Sequence, residues 1–227
     1  MDFKTFLFEL SQTPIKVIAP LVDFRDYVSI DLSKDNDALK SFDNSCSKSW
    51  TAYIHQYLKN HNKSVAFGGY LEPRSIYNRS DYFNAESALE ARNIHLGIDL
   101  WCAAETPVLA AFDGVVHSFK DNTNHGDYGP TIVLKHSLKG VTFYTLYGHL
   151  SMSSIKTLYK NTQILKGQII GYLGSADVNG DYAPHLHFQI IKNIANYDGD
   201  YPGVSSQNDL AFYRDNCPDP NLVLKLY

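Results

Sequence analysis

The sequence predicts a mainly β, antiparallel domain with helices packed on its outside. Three patterns point there. Residues 107–191 break into five or so short apolar runs separated by turn residues, with little helical periodicity, as antiparallel β-structure does. Near the end of that region, His185-Leu186-His187-Phe188-Gln189-Ile190 alternates polar and apolar residues, the period of a strand. Ahead of it lies one strong helical stripe: Trp50, Tyr53, Ile54, Tyr57 and Leu58 fall at i, i+3, i+4, i+7 and i+8.

Taken in order, residues 2–11 read as a short helix, followed by extended chain around Pro14 and Pro20. Residues 27–32 read as a strand, and Ser33 is placed to cap a helix beginning at Lys34. The striped helix spans 47–59, and its apolar face is expected to pack on the β domain rather than on a partner. Residues 65–71 open the β domain and lead into a polar stretch, 72–92, that carries Arg74, Tyr77, Arg79 and Tyr82. A loop of that length in a compact domain is a candidate functional element, and an arginine in it suits a carboxylate or a phosphate. A helix at 153–160 interrupts the later strands. The organisation expected is 1–65 helical and extended, 66–192 the β domain, and 193–227 an extension in which no chemistry is evident.

Composition narrows the function. The chain has 227 residues, 44% of them hydrophobic, enough for a real core. A net charge of −4 lacks the basic footprint of a nucleic-acid binder. No apolar run approaches the ~18 residues of a membrane span. The first residues lack a basic region followed by a long apolar one, so no secretory signal is read; if Met1 is the natural start, a cytoplasmic protein is expected. Cys46, Cys102 and Cys217 are widely spaced, which fits neither a cysteine zinc site nor a disulfide framework. Sixteen tyrosines suit a groove for peptides or sugars, though most are expected in the core.

The chemistry concentrates in three motifs. His95-Leu96-Gly97-Ile98-Asp99 sets an imidazole and a carboxylate, both good zinc ligands, four residues apart. In a straight strand they would stand about 13 Å apart, so the backbone must bend, and Gly97 permits that. In the second motif His185 and His187 share one strand face among apolar neighbours, where unpartnered imidazoles are costly and a metal would satisfy them. Between these lies Tyr147-Gly148-His149-Leu150-Ser151. The remaining histidines lack such partners: His55 and His61 read as surface residues, His117 and His136 as structural ones. His125, in a polar loop, borders the expected groove.

The order H-x-G-x-D, Y-x-H-L-S, H-x-H-F resembles the LytM/lysostaphin-type zinc metallopeptidases of the M23 family, over roughly residues 66–192. Glu105-Thr106-Pro107-Val108-Leu109-Ala110, Asp113-Gly114-Val115-Val116 and Gly167-Gln168-Ile169-Ile170-Gly171 fit the same pattern. The resemblance implies a LytM-like, duplicated-hybrid-type antiparallel sheet. It also implies Zn2+ held by His95, Asp99 and His187, with His149 and His185 as catalytic residues, the general base being either of them. Arg74, Arg79, Tyr147 and His125 are the candidate substrate-groove residues. The turn before H-x-H is usually rich in Gly, Ser and Thr in the family; here it reads Gly174-Ser175-Ala176-Asp177-Val178-Asn179-Gly180-Asp181-Tyr182, which leaves the substrate open. The function implied is zinc-dependent hydrolysis of amide bonds, by an endopeptidase acting on peptidoglycan-type peptides. The alternatives are a cytoplasmic zinc hydrolase of a small amide or peptide, and a non-catalytic binding or regulatory module. All five motif positions are filled, which weighs against the last.

Overall fold

The structure is a computed structural model and describes every residue except Met1, Asp81, Tyr82, Asn84, Ala85, Glu86 and Ala88. Helix α1 (Phe3–Leu10) begins after Asp2, whose carboxylate accepts the backbone N–H groups of Lys4 and Thr5, as an N-cap does. Strand β1 (Tyr27–Ser29), helix α2 (Ser47–His61) and β2 (Val65–Gly68) follow. The first motif lies on β3 (Ile94–His95) and β4 (Ile98–Trp101). Then come β5 (Pro107–Leu109), β6 (Gly114–Asn122), β7 (Gly129–Leu138), β8 (Val141–Gly148), α3 (Ser153–Lys156), β9 (Gln163–Ile164), β10 (Ile169–Tyr172) and β11 (His185–Ile191). The C-terminal segment adds β12 (Val204–Ser205), α4 (Leu210–Asn216) and α5 (Asn221–Leu224).

The main sheet has the order β1-β2-β4-β11-β8-β7-β6-β9. Only β1 and β2 pair in parallel; every other pairing in it is antiparallel. Alternation divides its residues between two faces. Leu186, Phe188 and Ile190 enter the largest apolar cluster with Ile98, Leu100, Ile132 and Phe143. That face is covered by Phe6 and Leu7 of α1, by Val223 and Leu224 of α5, and by Val108 of the β5–β10 pair. On the opposite face, α2 lays Trp50, Ile54 and Leu58 against Ala66, Trp101 and Ala183. A third cluster, with Tyr128, Leu146, Ile191, Tyr201 and Cys217, covers the other side of that face. The histidines lie between these two clusters.

The helical stripe is therefore core. Trp50 is 4% exposed and its indole N–H donates to the Asn44 carbonyl, while Tyr57 is half-buried and its hydroxyl donates to Ser29. Trp50→Ala is expected to cost about 3–5 kcal/mol, read from urea unfolding. A loss under about 1 kcal/mol would mean that α2 adds little to the fold.

Three local expectations are corrected. No α-helix follows Ser33. Its backbone N–H is taken by the Asp31 carboxylate, and only a 3₁₀ turn forms later, at Asp37–Ser41, capped by Asn36. Asx and Ser residues compete for backbone groups in this way. The strand at 27–32 stops at Ser29, after which Ile30 and Leu32 turn into the cluster under α2. The helix at 153–160 is a single turn. Residues 193–227 also do more than extend the chain, because Val204 and Tyr201 reach the site described next.

Candidate metal centre

Sheet register brings the motifs together. His187 of β11 stands directly opposite Asp99 of β4, and His185 opposite Trp101. On its other side His187 faces Gly148 of β8, which puts His149 just past the strand end. His149 adopts a left-handed φ of 62°, uncommon for a non-glycine residue and frequent at functional sites. His95 lies on β3, which is held by β12 through the pair Val204–His95. The chain breaks strand geometry at Leu96-Gly97, as the spacing required. Gly97 does not need its conformational freedom there, since its φ is not in the left-handed region. It needs the absence of a side chain: a Cβ would lie 2.7 Å from the His187 ring and from the Phe188 carbonyl. Gly97→Ala is expected to displace His187 and weaken metal binding by at least about tenfold, measured by chelator competition; unchanged affinity would refute that role.

His95 Nε2 and His187 Nδ1 are 2.8 Å apart, and Asp99 Oδ1 lies 3.1 and 3.2 Å from them. The opposite ring nitrogens are engaged. His95 Nδ1–H donates to the Gly69 carbonyl, and His187 Nε2–H donates to Gln189 Oε1. The inward nitrogens are thus left as acceptors, with lone pairs that face one another and a carboxylate oxygen. His149 and His185 are arranged alike: each Nδ1–H donates to a backbone carbonyl, Asn179 at 2.8 Å and Ala183 at 2.7 Å, and each keeps Nε2 as an acceptor. Their rings are 4.1 Å apart, and His185 Nε2 is 4.0 Å from Asp99 Oδ1.

Burial sets the charges. It pulls the His95 imidazole down to about 3, with the Arg74 guanidinium adding to the effect. It pulls His185 down to about 4 and His149 well below its ordinary value, reinforced by the neighbouring histidines. Burial pushes the Asp99 carboxyl up, but the Arg74 guanidinium beside it prevails and holds it well below the usual carboxylate range. His95, His149 and His185 are therefore neutral imidazoles at neutral pH, beside one ionised carboxylate.

These residues fit a divalent metal. Among the described residues, His95, Asp99 and His187 form a group of three whose ligand atoms lie within 4.8 Å of one another, all buried. Asp99 Oδ1 is buried without a hydrogen-bond partner among the described residues, a costly state for a carboxylate oxygen. Bond lengths of 2.0–2.1 Å imply ligand separations of roughly 3.3 Å in a tetrahedron, close to the spacings present.

The candidate groove residues divide. The cleft over the histidines, about 150 Å³, is walled by Leu32 and Trp50, by Tyr77 and Phe83 of the 72–92 stretch, and by Tyr201 and Pro202. Arg74 lines it, but its carboxylate partners are the protein's own, Glu72 and Asp99. Arg79 is not among the residues lining the cleft; its side chain lies over the Tyr182 ring at 4.4 Å and donates to the Asp181 carbonyl. His125 is exposed at the rim, 3.6 Å from Asp181. Tyr147 is a correction. It is opposite Phe188 in register and therefore shares the core face, where its hydroxyl accepts the Ala111 N–H. Tyr82 lies outside the described residues. Two residues that the motifs did not single out support the centre. Gln189 is on the His187 face by alternation, so strand period alone pointed to it. Asn179 is fully buried and binds Gly174 and Tyr182 through its side chain while its carbonyl holds His149; nothing in its local sequence distinguished it.

Residues 93–199 match the model of peptidase family M23. Over 100 residues the chain is 36% identical to the peptidoglycan DD-endopeptidase ShyC of Vibrio cholerae serotype O1, covering 44% of this chain and 20% of that protein. The same identity holds over 98 residues of the peptidoglycan DD-endopeptidase ShyA of that organism, covering 43% and 20%. The chain thus spans about a fifth of the length of the curated relatives it matches. Among solved structures, the catalytic domain of the antimicrobial peptidase lysostaphin from Staphylococcus simulans is similar, with 25% identity and a TM-score of 0.44, covering 70% of this chain and 96% of that one. A zinc-containing peptidase from Vibrio cholerae has 26% identity and a TM-score of 0.35, covering 48% and 30%.

Proposed function

We propose, from the premise that residues 93–199 of this chain are a peptidase family M23 domain, that the protein is a zinc metalloendopeptidase acting on the peptides of peptidoglycan. One observation carries the reading. Two imidazole nitrogens and a carboxylate oxygen converge in a buried site, with two further neutral imidazoles turned toward them. The relatives named as peptidoglycan DD-endopeptidases support the substrate class.

His95, Asp99 and His187 would hold the ion. Three protein ligands leave a position open, and a zinc ion so held supplies a Lewis acid that polarises a carbonyl and brings a water's pKa near 7. The chain supplies the proton traffic. His149 and His185 are neutral, and each is fixed by its Nδ1–H bond so that Nε2 faces inward. One can take a proton from the attacking water. That ring can then pass the same proton to the departing amine, while the other, its Nε2 left as an acceptor, can hold the attacking water in place. The aromatic wall of Trp50, Tyr77 and Phe83 makes the surroundings less polar and strengthens these interactions.

The reading is tested by incubating the zinc-loaded chain with purified sacculi and with soluble cross-linked muropeptides, then analysing the products. New amino termini within the cross-links are expected from both. Zinc bound with neither substrate cut would overturn the peptidoglycan assignment. Cutting of the soluble muropeptide alone favours the second reading, a hydrolase of small peptides, which the narrow cleft supports.

A further inference from the structure

Arg74 is 5% exposed, and two of its three guanidinium nitrogens are held by the protein's own carboxylates. Nη1 donates to Asp99 Oδ2 at 2.5 Å, and Nε donates to Glu72 Oε2 at 2.5 Å. The plane lies over the Trp101 ring, 5.5 Å from its centroid. Glu72 is itself anchored, since its other oxygen accepts the Leu32 N–H. The guanidinium and the His95 ring both nest over Gly69, where a Cβ would lie 2.0 Å from Nη2 and 2.9 Å from His95 Nδ1, and where φ is +105°. The two oxygens of Asp99 thus have different fates. Oδ2 is claimed by Arg74, while Oδ1 is the one turned toward His95 and His187.

We propose that Arg74 is a positioning residue for the metal centre: it clamps Oδ2 of Asp99 so that only Oδ1 is offered to the ion. This rests on the reading of His95, Asp99 and His187 as ligands. A carboxylate with both oxygens free can rotate or bind an ion through both. A planar donor on one oxygen removes that freedom. A buried cation next to a metal site would ordinarily repel the ion, but Glu72 offsets the charge of Arg74. The trio of Arg74, Glu72 and Asp99 keeps a net negative charge for the metal. Arg74 and Glu72 lie upstream of the 93–199 family match, so the matched residues alone leave Asp99 without this partner. A lysine substitutes only in part, because its ammonium lacks the fork that reaches Glu72 and Asp99 together.

The test uses the full chain as parent, Arg74→Gln and Arg74→Lys. Zn2+ affinity is measured by competition with a chromophoric chelator. The visible spectrum of the Co2+-loaded protein reports ligand number and geometry, its intensity falling as coordination number rises. Urea unfolding of the metal-free chains reports the fold separately. Arg74→Gln is expected to bind Zn2+ roughly 10–100-fold more weakly and to give a weaker cobalt band, as Asp99 presents both oxygens. Arg74→Lys is expected to fall between Gln and the parent in affinity and to retain an altered band. Parent-like affinity and spectrum in both variants overturns the inference, even where stability falls, for then Arg74 only supports the fold. If Arg74→Gln does not fold, Arg74→Lys decides by the same criteria. A parent that takes up neither ion overturns the ligand reading, and this inference with it.

Discussion

Asp99→Ala is expected to lose the metal and several kcal/mol of stability, whereas Asp99→Asn loses most of the metal at a smaller cost to the fold. The difference follows from what surrounds the carboxylate. Asp99 faces the imidazoles of His95 and His187 through Oδ1 and the buried guanidinium of Arg74 through Oδ2. Alanine removes the ligand and also leaves Arg74 with Glu72 as its remaining partner in a dry site. Breaking a buried pair by deleting one member typically costs about 3–5 kcal/mol. Asparagine keeps an oxygen for Arg74 but not the charge that a divalent ion needs. Zinc content per chain and urea unfolding of the metal-free proteins check both parts. Full zinc occupancy in Asp99→Ala would remove Asp99 from the ligand set, and equal stability of the two variants would remove Arg74 from the account.

His149→Ala and His185→Ala are expected to keep the metal and to lose roughly 10²–10⁴ in turnover each, the usual loss for a positioned acid or base. Both imidazoles are held neutral by burial, both spend Nδ1–H on a backbone carbonyl, and neither belongs to the converging ligand group. His149 carries an added constraint, since its left-handed backbone and its bond to Asn179 aim the ring. The measurement pairs zinc content with turnover on a cross-linked muropeptide. Loss of zinc from either variant as readily as from His95→Ala would mean that the division of labour is wrong, as would full activity in either.

Much of the site was legible because strand period and residue chemistry act locally. Alternation put His185, His187 and Gln189 on one face and Leu186, Phe188 and Ile190 on the other, which the core cluster reflects. The same rule, carried through the register of β8 on β11, sends Tyr147 to the core, but that register is a cross-strand property and the motif by itself read as groove. Ser33 failed as a helix cap because Asp31 and Asn36 took the nearby backbone groups first. Arg74 and Arg79 were legible as arginines near the first motif, while their occupations depend on Asp99 and Asp181, residues brought to them by packing, with Glu72 adding a local partner.

The sequence by itself determined the striped helix and the mainly antiparallel architecture, since periodicity and turn residues are written in short stretches, and its three motifs named the five residues around the centre through their resemblance to the M23 pattern. Tertiary structure decided which atom each of those residues presents. The opposed register of Asp99 and His187, the carbonyls of Gly69 and Asn179 that select the ring nitrogens of His95 and His149, and the Arg74 clamp on one carboxylate oxygen all join positions distant in the chain. No local pattern encodes such pairings, because they arise only when separate segments share the packing of one sheet face.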